Sequence, residues 1–430
     1  MKVLITGANG FIGGAIVEAL LQAGHDVVAC VHTLRNSAAS PRIAYCSLDL
    51  RDYRTPSAWL PHLQNVDAVV NGAGILRAHK PGDFSAIHFE APKALAEACA
   101  NKGIERFVQI SALGEPQDGE FIESKHRFDE FLLRSIPNAI VIRPSVVVSV
   151  RGSYGGTSLL RALAALPFLL FLPGDGDQKM QPILLEDLAA ITVNALTETL
   201  PPNRLWIAVG PEVLSYRDYL GLVRGWLGFP KPWTIRVPNR LIDALFALGD
   251  RLGQGPMTSV IWKLLKRGNV GSADAYEQLG AAAGYRPRSI SEILRHSPSF
   301  VQDRWHARLY LLRPTLRWTF VAIWWLSGLS GLLAQPDQYR PILDGLGVAA
   351  AYQAGMVIAT SVLDIALGVA LAAGFKPRLV GVLMFCSVCA YTLGLGIGVP
   401  TLWLDMFGGL LKNLALSPLL LVYLIIEDQR

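Results

Sequence analysis

Residues Thr6-Gly7-Ala8-Asn9-Gly10-Phe11-Ile12-Gly13 decide how the first part of this chain folds. They follow a short apolar run, Lys2 to Thr6, and open a stretch, Ile12 to Ala23, whose apolar residues recur at helical spacing. A strand, a glycine turn and a helix in that order suit a nucleotide pyrophosphate. Gly7 permits the sharp turn, Gly10 lets backbone amides approach the phosphates, and Gly13 allows close helix packing. Asn9, Phe11 and Ile12 share the turn, at the helix end that carries partial positive charge.

Outward from this turn, β-branched runs alternate with helical patterns at the spacing of βαβ units. Strands are expected at Lys2 to Thr6, Asp26 to Val31, Ile43 to Cys46, Asp67 to Asn71, Arg106 to Ile110 and Ala139 to Ile142. Helices are expected at Ile12 to Ala23, Thr55 to Leu63, Phe84 to Asn101 and Ser124 to Arg134. The fold class of this part is therefore α/β, a Rossmann-type doubly wound parallel sheet with a small substrate lobe. The second strand runs into Cys30-Val31-His32-Thr33-Leu34-Arg35, which holds no carboxylate for the ribose hydroxyls of NAD. A 2′-phosphate pairs with arginine and is repelled by a carboxylate, so NADP(H) is favoured over NAD(H), with Arg35 either its partner or a solvated loop cation.

Several further stretches fall in a familiar order: Asp49-Leu50, Asn71-Gly72-Ala73-Gly74, Ile110-Ser111-Ala112-Leu113-Gly114, Arg143-Pro144-Ser145, Gln181-Pro182-Ile183 and Glu186-Asp187-Leu188-Ala189. Together with the glycine turn, over about the first 300 residues, they resemble extended or atypical short-chain dehydrogenase/reductases of the NAD(P)-dependent epimerase/dehydratase type. The resemblance implies that Asp49 and Leu50 meet adenine, that Ala73 and Gly74 line the cofactor cleft, and that Pro144 precedes residues at the nicotinamide. Asp49 as a loop carboxylate, Asp187 as a helix cap and Pro144 as a strand stop are the alternative readings.

Members of that family reduce a carbonyl with a tyrosine acid, a lysine four residues on that lowers its pKa, and a serine that polarises the carbonyl. Ser111 and Lys125 stand at the serine and lysine positions, as catalytic candidates, with Lys125 also set to hold the nicotinamide ribose. The tyrosine position is Phe121, which has no proton to give. Glu123, Ser124 or water are candidate replacements. The apolar run Leu159 to Leu172 is too short to span a membrane and reads as a lid or interfacial helix, or as a packed core helix.

The composition changes near residue 300. Of the 116 residues from Thr315 to Arg430, 12 are charged, against 61 of the first 314. Apolar runs at Trp318 to Pro336, Gly345 to Leu363, Leu379 to Leu404 and Met406 to Ile426 are each long enough to cross ~30 Å of hydrocarbon. Boundaries follow: a nucleotide-binding domain over 1–298, a basic juxtamembrane linker over 299–314 and an all-α, four-span membrane domain over 315–430. Arg304, Arg308, Arg313 and Arg317 precede the first span, Lys376 and Arg378 lie between the second and third, and Arg430 ends the sequence. By the positive-inside rule both termini are cytoplasmic, in a multi-pass protein of the inner (cytoplasmic) membrane. Four spans, Asp364 in the second and Leu411-Lys412-Asn413 in the fourth resemble the DoxX-like family. Asp364 and Lys412 are expected as a buried pair or a quinone-binding polar site, or else with Lys412 snorkelling or both only fixing helix packing.

Five cysteines form no disulfide framework and no metal pattern, and no basic block or RNA-binding aromatic motif points to nucleic acid. Cys386 and Cys389 do make one CxxC inside an uncharged run, read either as a redox or metal pair or, in preference, as small residues that let membrane helices pack closely. Two function classes remain. One is a membrane-anchored NAD(P)(H)-dependent oxidoreductase acting on a quinone, isoprenoid or lipid. The other is a noncatalytic nucleotide-binding scaffold in a membrane complex, like the atypical accessory subunit of respiratory complex I.

Overall fold

Seven strands form the central sheet of the computed structural model, which describes residues 1–34, 40–78, 80–197, 204–252, 258–404 and 408–427. In chain order they are β1 (Lys2–Thr6), β2 (Asp26–Val31), β3 (Ile43–Ser47), β4 (Ala68–Asn71), β5 (Arg106–Ile110), β6 (Ala139–Pro144) and, after an outlying strand β7 (Leu169–Pro173), β8 (Leu205–Ala208). The order β8-β6-β5-β4-β1-β2-β3 reverses direction between β1 and β4, and every pairing in it is parallel. A parallel sheet carries helices on both faces, so its inner strands are apolar through their middles. Val3, Leu4, Ile5, Val69, Val70, Ile140 and Val141 are accordingly without exposed surface.

The helices needed here are α1 (Phe11–Gln22), α2 (Ala91–Lys102), α3 (Glu120–Ser135), α4 (Gly156–Ala164) and α5 (Leu185–Thr197). One face of the sheet packs with α1 and α5, through Ile16, Leu20, Leu188 and Ile191. The other packs with α2 and α3, through Leu95, Phe128 and Leu132. Ahead of α2, where a uniform helix is expected from Phe84, a short helical turn (Asp83–Ser85) passes into a five-residue π-helical segment, Ala86–Glu90. The expected helix over Thr55 to Leu63 is one α turn, Pro56–Trp59, followed by a 3₁₀ turn, Leu60–Leu63.

The run Leu159 to Leu172 is not one helix. Its first part ends α4 at Ala164, and Pro167 with Phe168, whose φ is +62°, turns the chain into β7. Strand β7 then pairs in parallel with β9 (Trp233–Val237), outside the main sheet. Two helices follow, α6 (Asn239–Leu252) and α7 (Ser259–Arg267). Asp187 is fully buried in α5, where its carboxylate accepts from the Tyr285 hydroxyl at 2.8 Å and from the Arg288 backbone N–H at 2.7 Å. It anchors the end of the substrate lobe rather than capping a helix.

The chain divides into two compact units, Met1–Arg304 and Trp305–Arg430. Residues 301–314 are helical, the first turns of α8 (Val301–Leu333), which runs through Pro314. Beyond it come a short helix α9 (Pro336–Gly345) and the helices α10 (Ala350–Ala372), α11 (Pro377–Gly398) and α12 (Gly409–Ile426). Four of these, α8 and α10 to α12, are long and apolar enough to cross a membrane.

In this second unit the helices touch where side chains are small. A Cβ at Gly328 of α8 would lie 2.6 Å from the Ser361 carbonyl of α10, and one at Gly368 would lie 2.5 Å from the Trp325 ring. Arg313 makes a bidentate pair with Glu427 at 2.7 and 3.0 Å, and Arg317 donates to the Leu371 carbonyl at the end of α10. The start of α8 and the ends of α10 and α12 thus lie together at one basic end of the bundle. The Asp364–Lys412 pair does not form. Asp364 is buried and accepts from the Ser327 hydroxyl at 2.9 Å, whereas Lys412 sits exposed in the first turn of α12.

Candidate functional site

The glycine turn is held so closely that side chains are excluded. Gly7 has φ +69°, a conformation glycine adopts freely, and a Cβ there would meet the Ala73 backbone at 2.8 Å. A Cβ at Gly13 would lie 2.0 Å from the Gly7 carbonyl. Helix α1 starts after Gly10 with no side-chain cap and no acidic residue in its first turn. Its leading amides, from Phe11, Ile12 and Gly13, have no partner within the helix. An uncapped helix end in a cradle without side chains fits a pyrophosphate.

Around that cradle the structure brings together most of the residues singled out from sequence. Asn9 reaches the Thr33 carbonyl at 3.5 Å, beside the end of β2. Asp49 caps the turn that begins at Leu50, accepting from the Arg51 backbone at 3.0 Å and from its guanidinium at 3.0 Å. Arg51 also binds Asp83 at 2.9 Å, and its charge and hydrogen bonds hold the Asp49 carboxyl below the usual range. Desolvation opposes that shift. Arg35 lies outside the described residues. Pro144 ends β6, where its carbonyl accepts from the Leu113 amide at 2.9 Å.

Across the C-terminal strand ends, Thr6 of β1 donates to Asn71 of β4, and Asn71 donates to Gln109 of β5 at 2.7 Å. All three are buried, and this polar ladder fixes the rim on which Ala73 and Gly74 sit.

Lys125 enters from α3. Its Nζ donates to the Ile110 carbonyl at 3.0 Å and lies against Gly74, where a Cβ would stand 3.2 Å from it. Burial lowers its pKa to about 8, against the pull of nearby Asp129. Ser111, expected to polarise a carbonyl, instead donates its proton to Asp129 at 2.7 Å, and Arg143 binds the same oxygen at 2.9 Å. In this geometry Ser111 has no donor left for a substrate. Burial raises the Asp129 pKa despite Arg143.

His88 was not visible from sequence. It lies in the π-helical segment, a conformation that residue spacing does not encode and that recurs at functional sites. Its Nε2 accepts the Ile75 backbone N–H at 3.0 Å, which leaves the proton on Nδ1, 2.9 Å from Ser124 Oγ. Ser124 in turn faces the Phe121 carbonyl at 3.3 Å. Burial and the neighbouring Lys125 hold the imidazole neutral, with its pKa well below the ordinary value. Phe121 packs edge-on to His88 at 5.6 Å and to Phe84 at 6.3 Å. Val260 and Leu264 of α7 close the same apolar cluster. Where a tyrosine would present a hydroxyl, this chain therefore presents a hydrocarbon wall backed by a neutral His–Ser pair.

Comparison with known proteins agrees with this architecture. Residues 3–208 match the NAD dependent epimerase/dehydratase family, and residues 321–421 match the DoxX-like family. A ceramide reductase of Caulobacter vibrioides is 28% identical over 192 residues, 44% of this chain and 58% of that protein. The mouse mitochondrial NADH dehydrogenase [ubiquinone] 1 alpha subcomplex subunit 9 is 24% identical over 48% of this chain and 56% of its own length. The chain thus spans rather more than half the length of these relatives. The UDP-glucose 4-epimerase of Thermus thermophilus in complex with NAD superposes with a TM-score of 0.52 at 21% identity, over 72% of this chain and 99% of that one, a likeness of fold. This chain joins a nicotinamide-dinucleotide-binding domain of epimerase/dehydratase type, matched over residues 3–208, to a DoxX-like membrane domain matched over residues 321–421.

Proposed function

We propose that this protein is a membrane-anchored, NADP(H)-dependent reductase of a lipophilic substrate such as a quinone, isoprenoid or lipid carbonyl. The observation that carries the reading is the join itself: a phosphate cradle with a buried lysine beside Gly74, walled by Phe84, Phe121 and Val260, in a chain with four apolar helices. The dinucleotide, when bound, supplies the hydride. Lys125, charged below pH about 8, orients the ribose hydroxyls, and Asp49 and Leu50 flank the adenine. The apolar wall excludes water, and His88 with Ser124 stands behind it as a reserve of one proton at Nδ1. NADP(H) is preferred because β2 ends without a carboxylate, and Asp49 is already engaged by Arg51. The basic end of the bundle favours a cytoplasmic first domain in the inner membrane. A relative named for ceramide reduction supports a lipid substrate.

The second reading is a nucleotide-binding scaffold for a membrane complex. It is favoured by Phe121 and by the commitment of Ser111 to Asp129, and by the likeness to a subunit of NADH dehydrogenase. Phe121→Tyr separates the two. The reductase reading expects NADPH oxidation in the presence of membrane lipids or quinones, raised by the new acid by up to ~10² to 10⁴ if proton donation limits the rate. The scaffold reading expects no turnover in either form, only a rise in melting temperature with nucleotide. Wild-type turnover that Phe121→Tyr lowers would refute both.

A further inference from the structure

The substrate lobe carries an apolar surface that the nucleotide site does not use. In the β7–β9 ribbon Leu169 pairs with Trp233 and Phe171 with Ile235, so these four side chains share one face. The intervening Leu170 and Leu172 are buried on the other face. The outward face is wholly apolar, and Trp233 is 76% exposed. Directly after Pro238, helix α6 exposes Leu241, Leu245 and Leu248, a stripe at helical spacing. Its opposite stripe is satisfied: Phe246 stacks on Trp262 of α7 at 5.8 Å, and Asp243 accepts from the Trp262 indole N–H. The exposed leucines are therefore not a spare core face waiting for α7.

The charges around this surface identify its occupant. Between Lys231 and Arg267 there are seven Lys or Arg residues and two carboxylates, with Lys266 paired to Asp243 and Arg267 to Glu115 and Asp118. Lys231, Arg240 and Arg251 are exposed ahead of the ribbon and at the ends of α6, while Arg236, on the other face of the ribbon, pairs with Asp175 at 2.9 Å. An indole at the edge of a flat apolar strip, flanked by cations, matches the chemistry of a headgroup–acyl boundary with anionic lipid. We infer that the β7–β9 ribbon and α6 form a docking face for an anionic bilayer surface. Helix α7, which α6 covers, contributes Val260 and Leu264 to the wall around Phe121, so docking brings the cover of the site into contact with lipid. The inference deepens the proposed function by naming the bilayer as the source of substrate, and it rests on the chain being membrane-anchored, not on its being a reductase.

The test uses the full chain in nanodiscs of equal parts phosphatidylcholine and phosphatidylglycerol, with p-benzoylphenylalanine at position 245 or, as a control, at the exposed position Val213. Illumination should give lipid adducts at 245 and none at 213. Arg240→Gln should lower the yield by up to about fivefold, the weight of one cation near an anionic surface, and pure phosphatidylcholine should lower it further. Absence of lipid adducts at 245, cross-linking there to a second copy or to another protein, or a yield indifferent to phosphatidylglycerol would overturn the inference. Nucleotide affinity and NADPH oxidation are measured on the same samples. Adducts without turnover leave the docking face standing and count against the reductase reading, whereas turnover without adducts does the reverse.

Discussion

The two units of this chain obey opposite rules of burial. In residues 1–304 most apolar side chains point inward, the β7–β9 ribbon and α6 aside, and Val3, Leu4, Ile5, Val69 and Val70 in the inner strands have no exposed surface. In residues 305–430 many apolar side chains face out, with Ile397 77% and Leu333 70% exposed, while Arg317, Gln353 and Asp364 lie inside beside an apolar core around Phe320, Leu371 and Met384. Water drives the first arrangement by expelling hydrocarbon. Hydrocarbon solvent offers no such drive between helices, so the second relies on close packing at small residues and on internal hydrogen bonds. A glycine at a contact therefore serves different ends: Gly13 brings a helix onto a ligand-binding loop, and Gly328 brings two helices together.

The sharpest way to break that comparison is at the loop. Gly13→Val puts a branched side chain where a Cβ would stand 2.0 Å from the Gly7 carbonyl, which the turn cannot relieve by a rotamer change. Nucleotide binding should be lost in calorimetry, and the nucleotide domain should lose about 1–3 kcal/mol of stability from overpacking. The membrane bundle should be unaffected in both measurements, because the change lies in the first unit.

A smaller effect is expected at Lys125. Its pKa of about 8 in the fold lies below the ordinary lysine value of 10.5. Between those values the unfolded chain holds more protons, so stability rises with pH across that window. Below about 8 the lysine is charged in both states, and the cost of burying it is fully present. Lys125→Met should remove this cost, raising stability near pH 7 by up to about 3 kcal/mol and flattening the rise above pH 8, while weakening nucleotide binding. A melting temperature unchanged between pH 7 and pH 10 in the unmodified protein would contradict the buried, charged lysine.

Sequence legibility followed the same divide between regular and irregular backbone. The parallel sheet and the four long apolar helices repeat simple periods, so a strand expected at Asp67 to Asn71 is found at Ala68–Asn71, and a span expected at Gly345 to Leu363 is found as a helix displaced to Ala350–Ala372. The glycine turn was legible because its chemistry needs small residues at fixed spacing. His88 was not, because the π-helical segment that aims it breaks no residue pattern. The Leu159 to Leu172 run was misread since hydrophobicity alone does not separate a buried helix from a strand, and Pro167 was the signal that divides them. The partner of Ser111 was hidden too: Asp129 lies 18 residues away in sequence, and only the packing of α3 against β5 joins them.

The smallest expected effect sharpens the comparison most, since it sets like against like. Asp129 and Asp364 are both buried carboxylates that accept from a serine hydroxyl, Ser111 in the first unit and Ser327 in the second. Asp129 has Arg143 as well, so Ser111→Ala leaves its charge paired, whereas Ser327 gives Asp364 its serine contact across two helices, α8 and α10. Hydrogen bonds between membrane helices average about 0.6 kcal/mol, because the separated helices find other partners in the bilayer. If Asp364 only fixes packing, Ser327→Ala should cost about that much in a detergent unfolding titration of the full chain. A loss several times larger would mean that Asp364 is held ionised at the helix interface, which marks a binding or proton-carrying site rather than a packing contact. The titration should be read beside nucleotide affinity, which stays constant if the two units answer to separate solvents as their burial patterns say.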